Sequence, residues 1–243
     1  MGAKSIFKNE FIIGSVLLQL AFYTHICAMQ ARYIVIEGNI GSGKTSLAMQ
    51  LQQRYSTELL LEEFADNSFL PQFYQNPDRW AFQLELSFMA DRFQQMQRML
   101  MSLKQSPKLL VADYLFDKSL IFAQNNLSVA EMALYKKFFA IVSDNIPKPD
   151  LIVLIKNSTS QLLANIAKRG RGFEQNITAK YLDNITGGYA HYKQQNPQYN
   201  WLEINGDDYD FVNNATHFDI IVKLIEDAIL NNQTQLFGPT AFG

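Results

Sequence analysis

Eight residues, Gly38-Asn39-Ile40-Gly41-Ser42-Gly43-Lys44-Thr45, carry the spacing G-x-x-x-x-G-K-[ST] of a phosphate-binding loop. Its glycines let the backbone wrap an anion with inward-pointing amides. Lys44 would reach β- and γ-phosphates, and the Thr45 hydroxyl would ligate Mg²⁺. Two further groups offer chemistry. Glu62 and Glu63 close a short apolar run, where a carboxylate is able to take a proton from an acceptor hydroxyl; one of the two is expected to be merely solvated. Arg169 and Arg171 flank Gly170 on a basic loop that is able to close over a triphosphate and meet the charge developing on a transferring phosphoryl group.

These groups need elements that hold them together. Tyr33-Ile34-Val35-Ile36-Glu37 reads as a buried strand feeding the loop, and Ser46 to Arg54 as the helix after it, whose dipole adds positive potential. Four more apolar runs predict strands: Glu58 to Glu62, Lys108 to Asp113, Asp150 to Lys156 and Asn200 to Ile204. Between them lie helical stretches. A short piece falls between Pro71 and Pro77. A long amphipathic helix runs from about Asp78 to Leu103, with Leu84, Phe88, Met89, Phe93, Met96 and Leu100 on one face. Asp117 to Gln124 is helical, Ser128 and Glu131 form a capping box opening a helix to about Ser143, and Asn157 to Thr159 cap another ending near Lys168. Thr178 begins a further helix, and the last spans Thr216 to Leu230. Strands apolar on both faces alternating with helices predict an α/β fold, a parallel five-stranded sheet between helical layers.

Composition narrows the function. The 243 residues are 48% apolar and 18% charged, enough for a full core and too apolar for disorder. A net charge of −2 without a basic stripe argues against nucleic acid as partner and leaves room for a small anion. Cys27 is the one cysteine, so no internal disulfide or thiolate cage forms, and His25, His191 and His217 lack ligand spacing. Residues 1–28 are a separate problem. Phe11 to Tyr23 resembles a signal core or anchor but is short for a spanning helix. The preferred reading is an upstream start with Met29 as natural initiator, one domain over 29–231 and a loose tail over 232–243. A phosphate loop that takes a nucleoside triphosphate favours a cytoplasmic location, and a membrane tether is the lesser reading.

From Met29 to about Asp227 the chain resembles the deoxynucleoside kinases, in particular the deoxyadenosine/deoxyguanosine branch. The resemblance rests on IEGNIGSGKTSL at 36–47, EEFADNSFL at 62–70, FYQNPDRWAF at 73–82, SLIFAQNNL at 119–127 and KRGRGFEQNI at 168–177. It implies a P-loop kinase fold with a short arginine-rich lid. It implies Glu62 as catalytic base and Lys44, Arg169 and Arg171 as the cations on the phosphoryl group. It implies Tyr74 and the lid residue Glu174 on the sugar 3′-hydroxyl. Asp207 to Phe211, including Asp210, looks like the loop that packs on the donor adenine. A homodimer through helices beside the sheet is also implied.

Two positions depart from the family. Glu85 stands where a glutamine usually contacts the acceptor base. A carboxylate only accepts hydrogen bonds and suits the two adjacent N–H donors of guanine; protonated, it would imitate glutamine and accept adenine. Arg92, two turns along the same face, would contact the purine or neutralise Glu85. Tyr114 in Asp113-Tyr114-Leu115 replaces the arginine of an acid-Arg-Ser triplet. Asp113 is still placed to sit near Mg²⁺ or substrate, and Lys118, one turn on, is the candidate for the missing charge.

The chain is therefore expected to transfer the γ-phosphoryl of ATP, with Mg²⁺, to the 5′-hydroxyl of a purine deoxynucleoside. A thymidylate-type kinase would need extra cations for the acceptor phosphate. A membrane-tethered GTPase-type switch would need an Asn-Lys-x-Asp motif, which is missing.

Overall fold

The computed structural model describes residues 33–63, 67–105 and 108–237; the expectations for residues 1–28, Met29 and 238–243 lie outside them. Five strands form one sheet in the order β2-β3-β1-β4-β5. They are β1 (Tyr33–Gly38), β2 (Glu58–Leu60), β3 (Leu110–Ala112), β4 (Leu151–Lys156) and β5 (Trp201–Asn205). Every pairing is parallel, with Val35 opposite Ala112 on one side and Ile152 on the other. The helices are α1 (Lys44–Tyr55), α2 (Leu70–Gln75), α3 (Pro77–Gln105), α4 (Lys118–Asn126), α5 (Val129–Ser143), α6 (Thr159–Arg169), α7 (Ala179–Gln195) and α8 (Ala215–Phe237).

The two-residue period of β1 divides the core. Ile34 and Ile36 pack with Leu47 and Leu51 of α1 and Ile221, Val222 and Ile225 of α8. Tyr33 and Val35 pack on the opposite face with Met96 of α3 and Leu110 and Ala112 of β3. All six residues of β1 are buried, so this strand is the middle of the sandwich and its carboxyl end is the natural ligand crevice.

Local signals set the helix boundaries. The Ser128–Glu131 capping box forms in both directions. Ser158 and Thr178 accept from backbone N–H groups to cap α6 and α7. Pro71 sits in the first turn of α2 and Pro77 at the first position of α3. Two boundaries move. β2 stops at Leu60, so Glu62 lies beyond the ladder. α8 continues to Phe237, past Leu230, because no Gly or Pro interrupts the polar run before Gly238-Pro239. Residues 232–237 of the expected tail are thus helical. No helix among the described residues is long and apolar enough to cross a membrane.

Candidate active site

The phosphate loop joins β1 to α1 at the carboxyl edge of the sheet. Gly41 and Gly43 take φ of 84° and 89°, the left-handed region that favours glycine. A Cβ on Gly43 would lie 2.9 Å from Cζ of Phe211. Asn39 pins the loop from inside: its Oδ1 accepts from the Ile40 N–H at 2.7 Å, and its Nδ2 donates to the Leu182 carbonyl at 2.8 Å and to Thr186 Oγ1 at 2.9 Å. Asn165 Nδ2 donates to the Gly41 carbonyl. Ile40 packs against α6 and α7, and Ser42 is buried. Lys44 Nζ donates to the Asn39 carbonyl at 2.9 Å. Burial, with Lys118 nearby, lowers its pKa to about 8.

Behind the loop lies Glu37, fully buried and not singled out in the sequence. It accepts from the N–H groups of Gly38 and Leu115 and from the Tyr189 hydroxyl. It ties β1, the end of β3 and α7 together at the root of the crevice. Its polar position inside an otherwise apolar strand was the available signal.

Asp113 connects the phosphate loop to the second strand. Its Oδ2 accepts from Thr45 Oγ1 at 2.5 Å and its Oδ1 accepts from the Glu62 N–H at 2.7 Å. Thr45 and Asp113 thus present a hydroxyl and a carboxylate side by side. Hard oxygen donors of this kind suit Mg²⁺, which is commonly held by one or two protein groups together with phosphate and water. The pair fits the ion.

Glu62 and Glu63 separate as their chemistry requires. Glu63 is exposed and only loosely paired with Arg98, at 3.8 Å. The Glu62 carboxylate is 15% exposed. Its Oε1 accepts from Nε and Nη2 of Arg92 at 2.9 and 2.6 Å, and its Oε2 accepts from Lys118 Nζ at 2.7 Å. Burial alone would raise its pKa; the Lys118 and Arg92 cations override it and hold the group well below the usual carboxylate range.

Arg92 makes its hydrogen bonds elsewhere than on Glu85: it turns to Glu62, and its Nη1 donates to Ser119 Oγ at 2.7 Å, while it reaches Glu85 through charge alone. A buried guanidinium goes where a carboxylate has the geometry for two parallel donors. Tyr114 is fully buried, its hydroxyl donating to Gln95 Oε1 at 3.0 Å. It points into the core, and Lys118 joins Arg92 as a second cation facing Glu62.

Glu85 is 1% exposed. Its Oε1 accepts from Asn126 Nδ2 at 2.6 Å, and its Oε2 is buried without a hydrogen-bond partner among the described residues. Burial pushes its pKa up to about 7, against Arg92 and the Asn126 hydrogen bond, which lower it. Asn126 was not singled out in the sequence, although it lies within SLIFAQNNL.

Tyr74, on α2, packs between clusters that include Tyr181. Burial raises its pKa, as do the nearby Tyr181, Glu174 and Glu85 groups. Glu174, on the 3₁₀ turn Gly172–Glu174, is buried and accepts from Arg169 Nε and Nη2 at 3.1 and 2.5 Å and from Arg171 Nη1 at 3.3 Å. The three lid groups thus form one cluster around the left-handed Gly170 that ends α6.

The segment at 207–211 differs from expectation. The Phe211 ring is buried in the α1–α8 core, directly beneath Gly43, because an aromatic ring gains more in that apolar layer than on the surface. Asp207 accepts from the Ser158 N–H and from Asn157 Nδ2, and Asp210 from the N–H and amide of Asn213. The two aspartates are exposed and hold the turn through these hydrogen bonds, while Phe211 underlies the loop.

A phosphate loop on a five-stranded parallel sheet, with a strand-end carboxylate and an arginine lid, defines a P-loop phosphotransferase. The deoxynucleoside kinase family pattern matches residues 34–230, and the chain belongs to that family. It is similar to deoxyguanosine kinase of Bacillus subtilis (strain 168), 36% identical over 204 residues, covering 82% of this chain and 99% of that one. It is 30% identical over 210 residues to deoxyadenosine kinase of Lactobacillus acidophilus, covering 81% of this chain and 95% of the relative. Solved structures of deoxyadenosine kinase from M. mycoides share the fold. With dATP bound, the TM-score is 0.68 at 21% identity, covering 79% of this chain and 98% of the other. With dCTP bound it is 0.68 at 19%, covering 80% and 99%. The chain is a kinase that phosphorylates deoxynucleosides.

Proposed function

We propose that the chain phosphorylates the 5′-hydroxyl of a purine deoxynucleoside, with ATP as donor, in nucleotide salvage. The observation that carries this reading is the neighbourhood of Glu62: a partly buried carboxylate gripped by two cations, hydrogen-bonded through its own N–H to Asp113, which in turn touches Thr45. A hydroxyl entering there meets an ionised acceptor for its proton beside the phosphate loop.

Each group has a part. The loop amides from Gly41 to Thr45 and Lys44 bind the phosphates. Glu62 orients the acceptor hydroxyl and receives its proton as the oxygen attacks in line. Arg169 and Arg171 leave Glu174 in part to meet charge on the transferring group, and Glu174 with Tyr74 then holds the sugar 3′-hydroxyl. Thr45 and Asp113 would hold Mg²⁺, which would supply positive charge against the phosphates. The backbone of the turn at 207–211 borders the donor base, its side chains serving as support. Glu85 meets the acceptor base, and Arg92 acts on it through charge and on Glu62 directly. Most of the acceleration comes from positioning and electrostatics.

We read the protein as a cytoplasmic homodimer. Leu134, Phe138 and Ile141 are exposed on α5 at spacings of four and three, a row suited to a second copy. A coupled ADP-release assay with the four deoxynucleosides tests the function; a clear preference for thymidine or deoxycytidine rejects the purine reading.

A further inference from the structure

We propose that Asn126, oriented by Asn125 and Tyr181, positions Glu85 against the acceptor base so that the choice between deoxyguanosine and deoxyadenosine depends on pH. The proposal rests on the purine reading above.

The geometry fixes the amide of Asn126. Its Oδ1 accepts from Asn125 Nδ2 at 2.9 Å, so its nitrogen must face Glu85, to which it donates at 2.6 Å. Its side chain shares a further hydrogen bond with Tyr181. The donor occupies one lone pair of Oε1, so a proton on Glu85 belongs on Oε2, the buried oxygen without a partner among the described residues. The two states then present different edges. Ionised, both oxygens accept, and the N1–H and N2–H of guanine match them. Protonated, Oε2 donates to N1 of adenine while the second lone pair of Oε1 accepts from N6–H. Each purine mismatches the other state and leaves a buried polar group unsatisfied.

The surroundings place this titration in the working range. Arg92 of α3 and Lys118 of α4 favour the ionised form, and Glu62 beyond β2 opposes it. Tyr74 of α2, Tyr135 of α5 and Tyr181 of α7 complete the ring of titratable neighbours, Tyr135 donating to the Glu85 backbone carbonyl. Burial outweighs the cations, so Glu85 changes state near neutrality.

The test is kcat/KM for deoxyguanosine and deoxyadenosine from pH 6 to 8.5, each pair measured on one preparation. Their ratio cancels any loss of folded enzyme. The guanine-to-adenine ratio is expected to rise with pH, by up to about tenfold per unit around the transition. In Glu85→Gln the ratio is flat and lower. In Asn126→Leu, which removes a donor to the ionised form, the rise moves to higher pH. A flat wild-type ratio overturns the proposal, and an Asn126→Leu profile that superimposes on wild type overturns the part given to Asn126. Failure to phosphorylate either purine instead overturns the substrate reading.

Discussion

Lys118 Nζ lies 2.7 Å from Oε2 of Glu62, across 56 residues of chain and with the lysine only 6% exposed. With Arg92 on the other oxygen, the carboxylate sits between two cations, each largely removed from water. This arrangement supplies near the candidate base the positive charge that Tyr114, turned into the core, does not. It also predicts that an incoming hydroxyl competes with an ion pair, so substrate binding has to loosen one of the two contacts.

Replacing Glu62 by Gln keeps the shape and removes the charge. Turnover should fall about 10²-fold or more with KM for ATP changed only a few-fold. Arg92 and Lys118 would lose their counter-charge, so stability should also fall by on the order of 3 kcal/mol. Steady-state kinetics and thermal melting measure both; unchanged turnover removes Glu62 from the mechanism.

Lys118→Met should lower kcat roughly tenfold or more, the scale of one buried charged contact, while Lys118→Arg recovers most of it. If the Met variant turns over normally, Lys118 has only a structural part, visible in its melting temperature alone.

Asp113→Asn retains an oxygen acceptor for Thr45 and loses the charge proposed to attract Mg²⁺. The Mg²⁺ concentration for half-maximal activity should rise about tenfold, in the spirit of a ligand-charge loss. Superimposable Mg²⁺ titrations of variant and wild type would falsify this assignment.

Gly43→Ala places a Cβ 2.9 Å from Phe211 Cζ on a backbone with φ of 89°. The strain should cost about 1–2 kcal/mol in stability and weaken ATP binding. Adding Phe211→Leu should relieve the contact but not the backbone strain. Calorimetry showing full ATP affinity in the single variant would mean that the loop tolerates another shape.

The Glu85 carboxyl is raised by burial from 4.5 to about 7. Between those values the folded state holds a proton that the unfolded state has lost, so stability falls as pH rises through this window. Glu85→Gln removes the penalty. Its advantage over wild type should be small at pH 4.5 and grow to about 3 kcal/mol at most by pH 8. Denaturant unfolding across pH checks this; an advantage that shrinks as pH rises contradicts the sign.

Much of this protein was legible from its residues in order. The phosphate loop, the five strands and the caps at Ser128, Ser158 and Thr178 depend on backbone geometry and nearest neighbours, so spacing alone specifies them. The two lid arginines stood out in the same way; Glu174, which only the family resemblance implied, meets them within one turn.

What only the tertiary structure decided is who faces whom across the crevice. Helical spacing put Arg92 beside Glu85, yet its partner is Glu62, 30 residues away. Asn126 reaches Glu85 over 41 residues, and Glu37 meets Tyr189 over 152. Phe211 looked like a ligand-facing ring and is instead a floor beneath Gly43. Setting β3 between β2 and β1 brings the segment after β2, the end of β3 and the start of α4 to one edge. Buried charges there must find partners wherever the chain supplies them, because unpaired they would cost more than the fold has to spare.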